Sequence, residues 1–371
     1  MAQTTSKASC RLLYVVGQLH TGGLERQLYY LLRAMDRERH RPAIAVWNHS
    51  EIDVHVAPLR ELGVPIHPLP AAVGGLQKLR AFRRLVANLE PEVIHSYTFY
   101  TNFAAYYGSL GTGAVPVGSV RSDLAWAMKE SGPLLGRLSA ALPTWQIVNS
   151  RSALAAVEHS RTMFAPRHAH VVRNGLDLER FRCVEPPPDA EVGILGIGYL
   201  LPVKRWERLL TAAATLKNTG LRFQVRIAGD GPLKESLEQV AHALDLDDCV
   251  HFLSHTDDIP RLLAASSFVV HTADNEGCPN AVMEAMACGR PVVATDAGDV
   301  RYLVEDGLSG FVVPVQDQRM LVDRMETLMR NPQLRRRMGK VARAKAEQGF
   351  GLERLVDETL AVYRRAGWNE P

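Results

Sequence analysis

The chain has 371 residues, about two to three times the length of a usual domain of ~100–150 residues, so two domains are expected. Hydrophobic residues make up 46% and charged residues 22%, which excludes a disordered chain. Lys and Arg number 43 against 40 Asp and Glu, a net charge of +3 that excludes a dedicated nucleic-acid binder.

Two further classes of protein are excluded by the pattern of apolar and cysteine residues. No apolar run reaches the ~18–20 residues that a membrane-spanning helix needs, and the apolar stretch 12–16 is too short for the core of a signal peptide. The five cysteines are odd in number and contain no CxxC pair, which excludes a disulfide scaffold and a zinc ribbon. We therefore expect a protein of the reducing cytoplasm.

The charge of the chain is unevenly distributed. Residues 1–180 carry 20 Lys and Arg against 13 Asp and Glu, a net of +7, and the remaining residues carry 23 against 27, a net of −4. A basic half joined to a mildly acidic half indicates two lobes with different partners.

The first half alternates between strands and helices. A strand over 11–17 leads into a loop containing Gly22 and Gly23, and apolar residues at i, i+4, i+7 and i+8 predict a helix over 24–35. Further strands are predicted at 43–47, 93–95 and 116–120, with a helix over 76–89.

The second half restarts this pattern after three prolines at 186–188, a stiff segment suited to a lobe boundary. Strands are predicted at 192–198, 222–228, 250–253, 268–271 and 291–295, with helices over 206–217, 233–244 and 281–288. This alternation is typical of parallel sheets covered by helices on both faces. The expected fold is α/β, with two Rossmann-like doubly wound domains at 1–180 and 181–350.

In open parallel sheets, ligands bind beyond the carboxyl ends of the strands, where helix N-termini offer unpaired N–H groups to anions. The adjacent Gly22 and Gly23 fit a phosphate site or a plain tight turn, and both interpretations stay open. Lys204, at the mouth of the helix over 206–217, can supply a point charge to a diphosphate, although a single lysine also fits a solvated surface. Gly229 permits a close backbone approach in a loop that otherwise has ordinary turn composition.

The loop and helix over 276–289 carry the strongest signal. Asn280 is predicted to cap the helix, and Gly289 to end it in the left-handed conformation. Glu284 lies about one turn inside an otherwise apolar helix, so its carboxylate should be buried or have a partner. The partner is either the diol of a ribose or a buried cationic side chain of the protein. A second acid, Glu276, lies beside a glycine in the preceding loop, and this favours the ribose.

This segment resembles the signature of the retaining glycosyltransferases of family 4, which have the GT-B fold: it reads EGCPNAVMEAMACGRPVVATDAGDVRYLVEDGLSGFVVP. The resemblance extends through GYLLPVKRWERLLTAAATL and IAGDGPLKESLE in the C-terminal half. In the N-terminal half it is looser and rests on GGLERQ, EVIHS and VRNGLD. It implies two Rossmann-like domains that face each other across a cleft, with residues 351–371 crossing back to the N-terminal domain.

Residue by residue, the resemblance implies a site for a nucleotide-sugar donor. Glu284 would hold the ribose, Glu276 would lie beside the transferred sugar, and Lys204 would neutralise the diphosphate. Gly22 and Gly23 would close over the phosphates from the other domain. The other donor contacts that it implies are Tyr199, Arg205, Gly229, Gly277, Cys278, Pro279 and Asn280.

The chain departs from the family at two positions. The family usually has an arginine five residues before the lysine, where this chain has Tyr199, and often a histidine where this chain has Arg121. Arg121 or Arg205 could replace the missing cation, so Arg121 joins Glu276 and Lys204 as a candidate catalytic residue. His95 matches a family position and is a candidate acceptor or sugar contact, with a structural role equally open.

The activity that the resemblance implies is retaining transfer of a sugar from a UDP- or GDP-sugar to a glycan or lipid-linked acceptor, in polysaccharide, lipopolysaccharide or glycolipid biosynthesis. None of the loops above carries a DxD metal motif, so we expect metal-independent catalysis, with no cofactor and with the diphosphate stabilised by cations and helix dipoles. The alternative is a degenerate protein that binds a nucleotide sugar or a partner without turnover.

The helix over 76–89 mixes cations with apolar residues, as a membrane-surface helix does, and an ordinary amphipathic helix fits the same pattern. We expect peripheral attraction to anionic lipids at the inner face of the cell membrane, where a lipid-linked acceptor would reside.

Overall fold

A computed structural model describes residues 10–20, 22–71, 73–121, 124–159, 164–185, 192–254, 256 and 258–370. The chain divides into an N-terminal unit, residues 1–175 with 352–371, and a C-terminal unit, residues 176–351. The sequence places the first division at 180/181 and the second at 350/351. The proline segment 186–188 lies outside the described residues.

The N-terminal unit alternates between strands and helices along the chain. Its strands are β1 (Leu12–Val16), β2 (Pro42–Val46), β3 (Ile66–Pro68), β4 (Val93–Ser96), β5 (Val115–Val120), β6 (Trp145–Val148) and β7 (His168–Val171). Its helices before the C-terminal unit are α1 (Gly23–Ala34), α2 (Arg37–His40), α3 (Val56–Glu61), α4 (Gly75–Leu89), α5 (Asn102–Ser109), α6 (Leu124–Glu130), α7 (Pro133–Ala141) and α8 (Arg151–His159).

The C-terminal unit repeats this alternation. Its strands are β8 (Val192–Ile197), β9 (Phe223–Ala228), β10 (Val250–Leu253), β11 (Phe268–His271), β12 (Val292–Thr295) and β13 (Gly310–Val313). Its helices are α9 (Trp206–Lys217), α10 (Lys234–Ala243), α11 (Ile259–Ala264), α12 (Asn280–Ala287), α13 (Val300–Leu303), α14 (Gln318–Arg330) and α15 (Pro332–Gly349). The chain then returns to the N-terminal unit as α16 (Leu352–Arg365).

Both sheets are parallel and share one topology. The strand order is β3-β2-β1-β4-β5-β6-β7 in the first unit and β10-β9-β8-β11-β12-β13 in the second. The order therefore reverses between β1 and β4, and again between β8 and β11. The crevice beyond the carboxyl ends of the strands at such a reversal is where doubly wound sheets bind ligands.

The strands are apolar on both faces because helices cover both sides of each sheet. Ile194 of β8 and Val270 of β11 pack into one apolar layer, and their neighbours Leu195 and Val269 pack into the other. Burying one such side chain stabilises the fold by about 1.5–3 kcal/mol. This two-sided burial confirms the expected α/β arrangement and holds the strand ends in place.

The ends of the predicted strands are confirmed to within about one residue. The strands that were not predicted lie mainly at the edges of the two sheets. β7 was not predicted because it reads His168-Ala-His-Val, with an exposed or half-buried side chain at each position. β3 was missed because it has only three residues, none of them buried. Such strands are defined by pairing with a neighbour rather than by an apolar pattern.

Helix α4 lies where it was predicted, but much of its cationic and apolar face packs against the rest of the N-terminal unit and is not free to contact a membrane. Lys78 is buried, and its Nζ donates to Trp47 O at 2.8 Å and to Asn48 Oδ1 at 3.0 Å. Arg83 donates to two backbone carbonyl oxygens at 2.9 Å, and Phe82 is fully buried. This favours the ordinary amphipathic helix, with Leu76, Arg80 and Arg84 left exposed. Across the described parts of the chain, no helix has the length and apolar character to cross a membrane.

Candidate donor site

A lysine, a histidine and a glutamate meet where β8 and β11 end. Lys204, in a short turn after β8, donates a hydrogen bond to Glu276 Oε1. His271, the last residue of β11, donates from Nε2 to the same oxygen at 3.1 Å. The Lys204 and Glu276 side chains are 21% and 16% exposed. The cluster therefore lies at the reversal of strand order and is partly open to solvent.

The Glu276 carboxylate is held in its ionised form. Burial raises the pKa of this carboxyl, but the hydrogen bond from His271 and the charge of Lys204 outweigh burial and bring the pKa to about 2. Both donors reach Oε1, and no donor among the described residues reaches Oε2. Oε2 can therefore accept a hydrogen bond from a ligand hydroxyl while Oε1 stays paired.

The loop around Lys204 is fastened to the segment that follows β11. Thr272 Oγ1 donates to Lys204 O at 2.8 Å, and the Asp274 N–H donates to Val203 O at 2.9 Å. These bonds join the two loops independently of the ion pair. Lys204 and Glu276 are thus pre-organised by the backbone, as an electrostatic site requires.

Gly298 sets the position of the loop that carries Glu276. Its φ is +61°, and a Cβ here would overlap the carbonyl oxygens of Glu276 and Gly277. The Asp299 N–H also donates to Gly277 O at 3.0 Å. The segment after β12 therefore packs directly against the Glu276 loop.

Replacing Gly298 with alanine should lower both stability and activity. A left-handed backbone costs a residue with a Cβ about 1–2 kcal/mol, and the new methyl group also displaces the Glu276 loop. The matched control is Gly307→Ala, at φ +76° with nothing within 4 Å of the new Cβ. We expect both variants to lower Tm, but only Gly298→Ala to lower kcat/KM. An equal kcat/KM for the two variants would contradict this role of Gly298.

The glycines after β8 and β9 bring two loops into contact. A Cβ at Gly229 would overlap the carbonyl oxygen of Gly198, and the Leu200 N–H donates to Asp230 O at 2.9 Å. The close approach that the sequence predicts for Gly229 is thus made to the protein's own backbone. Tyr199 lies in the same loop, 43% exposed, and its carbonyl accepts from Trp206 Nε1 at 3.0 Å.

Helix α12 buries the carboxylate that the sequence singles out. Glu284 is 1% exposed among buried Val, Met and Ala side chains, which confirms that prediction. The predicted cap is wrong: Asn280 is the first helical residue, and Pro279 precedes the helix with no side-chain capping bond. Gly289 adopts φ +68° just after the helix, as expected. Cys278 is buried, with Sγ 3.5 Å from Met283 Sδ.

Arg205 follows Lys204 but has its own acidic neighbours. Its Nε lies 3.0 Å from Glu207 Oε1 and 3.4 Å from Asp274 Oδ2. Arg208 holds the other Asp274 oxygen at 2.6 Å. The charge of Arg205 is therefore shared with two carboxylates, whereas Glu276 accepts from Lys204 deeper in the site.

The glycine loop of the N-terminal unit already contacts an acidic side chain of the protein, Glu25. Gly22 precedes α1 and Gly23 begins it, and a Cβ at Gly22 would overlap Oε2 of Glu25. Burial raises the pKa of Glu25, while a hydrogen bond from its own backbone N–H lowers it. A carboxylate at this end of the helix is stabilised by the helix dipole. The Glu25 carboxyl group therefore lies beside the backbone at Gly22, where the sequence leaves a phosphate site open.

His95 has the structural role that the sequence left open. It is 1% exposed, with Nδ1 at 2.6 Å from Tyr363 Oη and Nε2 at 2.9 Å from Ser119 Oγ. Burial, and then the charge of Arg121, hold the pKa of His95 well below its usual value. Both ring nitrogens are thus occupied by partners within the unit. Arg121 itself follows β5, with its guanidinium 3.7 Å above the Tyr97 ring.

His271 completes the Glu276 cluster and is not among the residues that the sequence predicts for the site. The available signal was its position, since it ends a buried strand at the carboxyl edge of the sheet, where side chains reach ligands. Its role as a donor to Glu276 depends on how the loop over 272–276 folds back, which the sequence does not show.

Two family models match adjacent parts of the chain. The model described as Glycosyltransferase Family 4 matches residues 21–180, and the model described as Glycosyl transferases group 1 matches residues 179–345. The second match contains the whole cluster around Glu276, and the first contains Arg121 and His95.

Similar proteins carry related descriptions. Alpha-D-kanosaminyltransferase of Streptomyces kanamyceticus is 34% identical over 177 residues, which are 47% of this chain and 46% of that protein. Alpha-maltose-1-phosphate synthase of Mycolicibacterium smegmatis is 28% identical, over 85% of this chain and 91% of that protein. The chain spans about half the length of the first curated relatives that it matches.

The fold is shared with solved structures of low sequence identity. Anabaena Alr3699/HepE, solved in complex with UDP, superposes with a TM-score of 0.81 at 20% identity, over 96% of this chain and 100% of that one. The same protein has been solved with UDP-glucose.

Proposed function

Because the chain belongs to the family 4 glycosyltransferases and has their GT-B fold, we propose that it transfers a sugar from a nucleotide-sugar donor to an acceptor hydroxyl. The observation that carries this proposal is the cluster of Lys204, His271 and Glu276 at the carboxyl ends of β8 and β11. Glu284, buried in the helix that follows the Glu276 loop, completes the site.

Each side chain has one task in this proposal. Lys204 neutralises the leaving diphosphate, and Glu276 positions the sugar through Oε2 while Lys204 and His271 hold Oε1. Glu284 accepts hydrogen bonds from the ribose hydroxyls. The backbone N–H groups near Gly277 and Asn280 lie at the start of α12, where the helix dipole favours the negative charge of phosphate.

The donor is a UDP- or GDP-sugar in this proposal. The solved Anabaena protein of the same fold binds UDP and UDP-glucose, which supports a uridine nucleotide. The acceptor is a glycan or a lipid-linked sugar of polysaccharide, lipopolysaccharide or glycolipid biosynthesis. The five cysteines are all free, which favours a cytoplasmic location, where such donors are made.

We propose that the reaction retains the configuration of the donor sugar. The bond from C1 to the diphosphate breaks, the acceptor oxygen attacks C1 from the same face, and its proton passes to the departing phosphate oxygen. The ammonium of Lys204 stabilises the charge that develops on the diphosphate. Glu276 is ionised before the donor binds, because its pKa is about 2.

We further propose that no metal ion or cofactor takes part. Lys204 supplies the positive charge that a divalent cation supplies in other enzymes of this kind. The one DxD spacing, Asp245-Leu246-Asp247, lies before β10, with Asp245 paired to Lys217 and Asp247 paired to His242. These two carboxylates precede their strand, whereas the ligand edge of the sheet lies at the other end of the strands.

Incubation of the full chain with a panel of UDP-, GDP- and ADP-sugars tests the proposed function. We expect one donor to release its nucleoside diphosphate, at the same rate with and without EDTA. The sugar first released from an α-linked donor should be the α anomer. Donor binding without any release would favour the degenerate alternative, and a first-formed β anomer would contradict retention.

Peripheral attraction to membranes is a separate proposal that rests on Leu76, Arg80 and Arg84, the exposed part of α4. We expect the chain to sediment with anionic vesicles at low salt, and Arg80→Glu with Arg84→Glu to abolish this. The control pair is Arg336→Glu with Arg337→Glu, which makes the same charge change on α15. Equal sedimentation of the two double variants, or none by the unaltered chain, would contradict the proposal.

A further inference from the structure

Three polar residues follow directly after three neighbouring strands of the N-terminal unit. Tyr97 comes after β4, Arg121 after β5 and Asn149 after β6, and these strands are adjacent in the sheet. The Asn149 side chain donates from Nδ2 to Arg121 O at 3.3 Å. The Arg121 guanidinium also stacks over the Tyr97 ring, so the three residues form one contiguous group, the strand-end cluster, at the carboxyl edge where parallel sheets bind ligands.

Two nitrogens of the Arg121 guanidinium are buried and have no acidic partner among the described residues. Its plane lies 3.7 Å above the Tyr97 ring, and its Nε and Nη1 are buried without a hydrogen-bond partner. Among the described residues, no carboxylate forms an ion pair with it. Buried N–H groups of an arginine are costly to leave unpaired, and planar carboxylate or phosphate groups satisfy them in pairs.

Its two neighbours also present unused polar atoms. Tyr97 Oη and Asn149 Oδ1 are both buried and have no hydrogen-bond partner among the described residues. A phenol can donate to an anion, and an amide oxygen can accept from a hydroxyl or an amine. The strand-end cluster therefore has two donor nitrogens, one hydroxyl donor and one amide acceptor that are unsatisfied among the described residues.

The titratable groups around Arg121 do not neutralise it. Burial raises the pKa of Tyr97 and of Tyr363, so both phenols stay neutral, although Arg121 opposes the rise. Burial and the charge of Arg121 lower the pKa of His95, so this ring is neutral as well. None of these described groups neutralises the positive charge of Arg121, which we infer is met by a ligand of opposite charge.

We propose that the strand-end cluster binds a phosphate or carboxylate group of the acceptor, so that the acceptor is an acidic polyol or acidic sugar. Arg121 and Tyr97 hold the anionic group, and Asn149 Oδ1 accepts from a hydroxyl beside it. This proposal rests on the proposed function for the existence of an acceptor. It assigns Arg121 to the acceptor, whereas Lys204 serves the donor diphosphate in the other unit.

Calorimetric titration of the full chain, with and without saturating UDP, tests the assignment. The probes are glycerol 3-phosphate and malate, with glycerol as the neutral counterpart and inorganic phosphate as the anion alone. We expect the two acidic polyols to bind, glycerol to bind at least about tenfold more weakly, and inorganic phosphate to compete with them. Equal affinity for glycerol and the two acids, or binding of neither acid, would overturn the proposal.

Two variants and one control assign the binding to the strand-end cluster. Arg121→Met should reduce affinity for both acids at least about tenfold, and so should Asn149→Asp, which removes the Nδ2 donor to Arg121 O and adds a negative charge that opposes an anionic ligand. The control is Arg83→Met: Arg83 also lies over a tyrosine ring, but its guanidinium donates to two backbone carbonyls. Undiminished acid binding by both Arg121→Met and Asn149→Asp would overturn the assignment.

Binding of UDP separates this proposal from the proposed function. Arg121→Met should bind UDP as the unaltered chain does, while losing the acidic probes. If Arg121→Met lowers UDP affinity and the unaltered chain never binds the acids, Arg121 contacts the donor and the inference is wrong. The proposed glycosyltransferase activity would not be affected by that result. If the unaltered chain turns over no nucleotide sugar, the proposed function itself fails.

Discussion

Replacing Lys204 with methionine should lower kcat/KM by about 100- to 1,000-fold, the usual cost of removing one pre-organised charge or donor from a transition state. Lys204 is fastened by its backbone to Thr272, so its ammonium is held in place before the donor arrives. Methionine keeps the unbranched shape of the side chain, is one atom shorter and removes its charge. Steady-state release of nucleoside diphosphate measures the effect.

The control for this variant is Lys217→Met at the far end of α9. Lys217 also pairs with carboxylates, Asp245 and Asp248, but away from the strand ends that carry Glu276. It should retain the full kcat/KM. Similar losses in both variants would mean that the effect comes from a change in the unit as a whole.

The Lys204 variant should also change the acid stability of the protein. A carboxyl whose pKa falls from 4.5 to about 2 on folding contributes stability that is present above pH 4.5 and is lost as the pH falls toward 2. Without Lys204 the pKa of Glu276 rises, so acid unfolding should begin at a higher pH. Circular dichroism through an acid titration measures the shift. An unchanged acid transition would show that Lys204 does not act on Glu276.

Replacing Glu284 with alanine should weaken donor binding about ten- to hundredfold, since a hydrogen bond to a charged group contributes about 1.5–3 kcal/mol. The carboxylate is buried in α12, directly after the Glu276 loop. A weaker loss from Glu284→Gln, which keeps an acceptor oxygen, would identify the hydrogen bond as the cause. Titration with the nucleoside diphosphate measures both.

Stability must be followed in the same Glu284 variants because this side chain is buried. The matched control is Glu238→Ala on the exposed face of α10, which should change neither donor affinity nor Tm. An unchanged donor affinity for Glu284→Ala, in a folded protein, would show that Glu284 does not contact the ribose. If the loss of donor affinity follows the fall in Tm in both Glu284 variants, Glu284 has a structural role.

The sequence placed Lys204, Glu276 and Glu284 correctly relative to the strands and helices, because these residues lie next to strongly apolar segments. The apolar strand that ends at His271 and the apolar helix that contains Glu284 enclose a short loop, and Glu276 lies in that loop. The ion pair with Lys204, 72 residues away, was not predictable, because it depends on β8 and β11 becoming neighbours. Pairing across the sheet is a tertiary property, and local patterns do not contain it.

The N-terminal unit was harder to interpret for the same reason. Lys78 was counted among surface cations, yet it bonds to Trp47 O and Asn48 Oδ1, some 30 residues away. Glu25 was not singled out, although its carboxylate covers the glycine loop at Gly22. The positions of α4 and α1 were predicted correctly. The sequence did not show which groups their charged side chains contact: Lys78 reaches a distant segment, and Glu25 folds back onto the start of its own helix.

Titration of the full chain with UDP, GDP and ADP, each compared with its own nucleoside, tests most directly whether the Lys204 and Glu276 cluster is a diphosphate site. We expect one nucleoside diphosphate to bind at least about tenfold more tightly than its nucleoside, and Lys204→Met to lose most of that difference. Equal affinity for nucleoside and diphosphate in all three pairs, or an undiminished difference in Lys204→Met, would contradict the account.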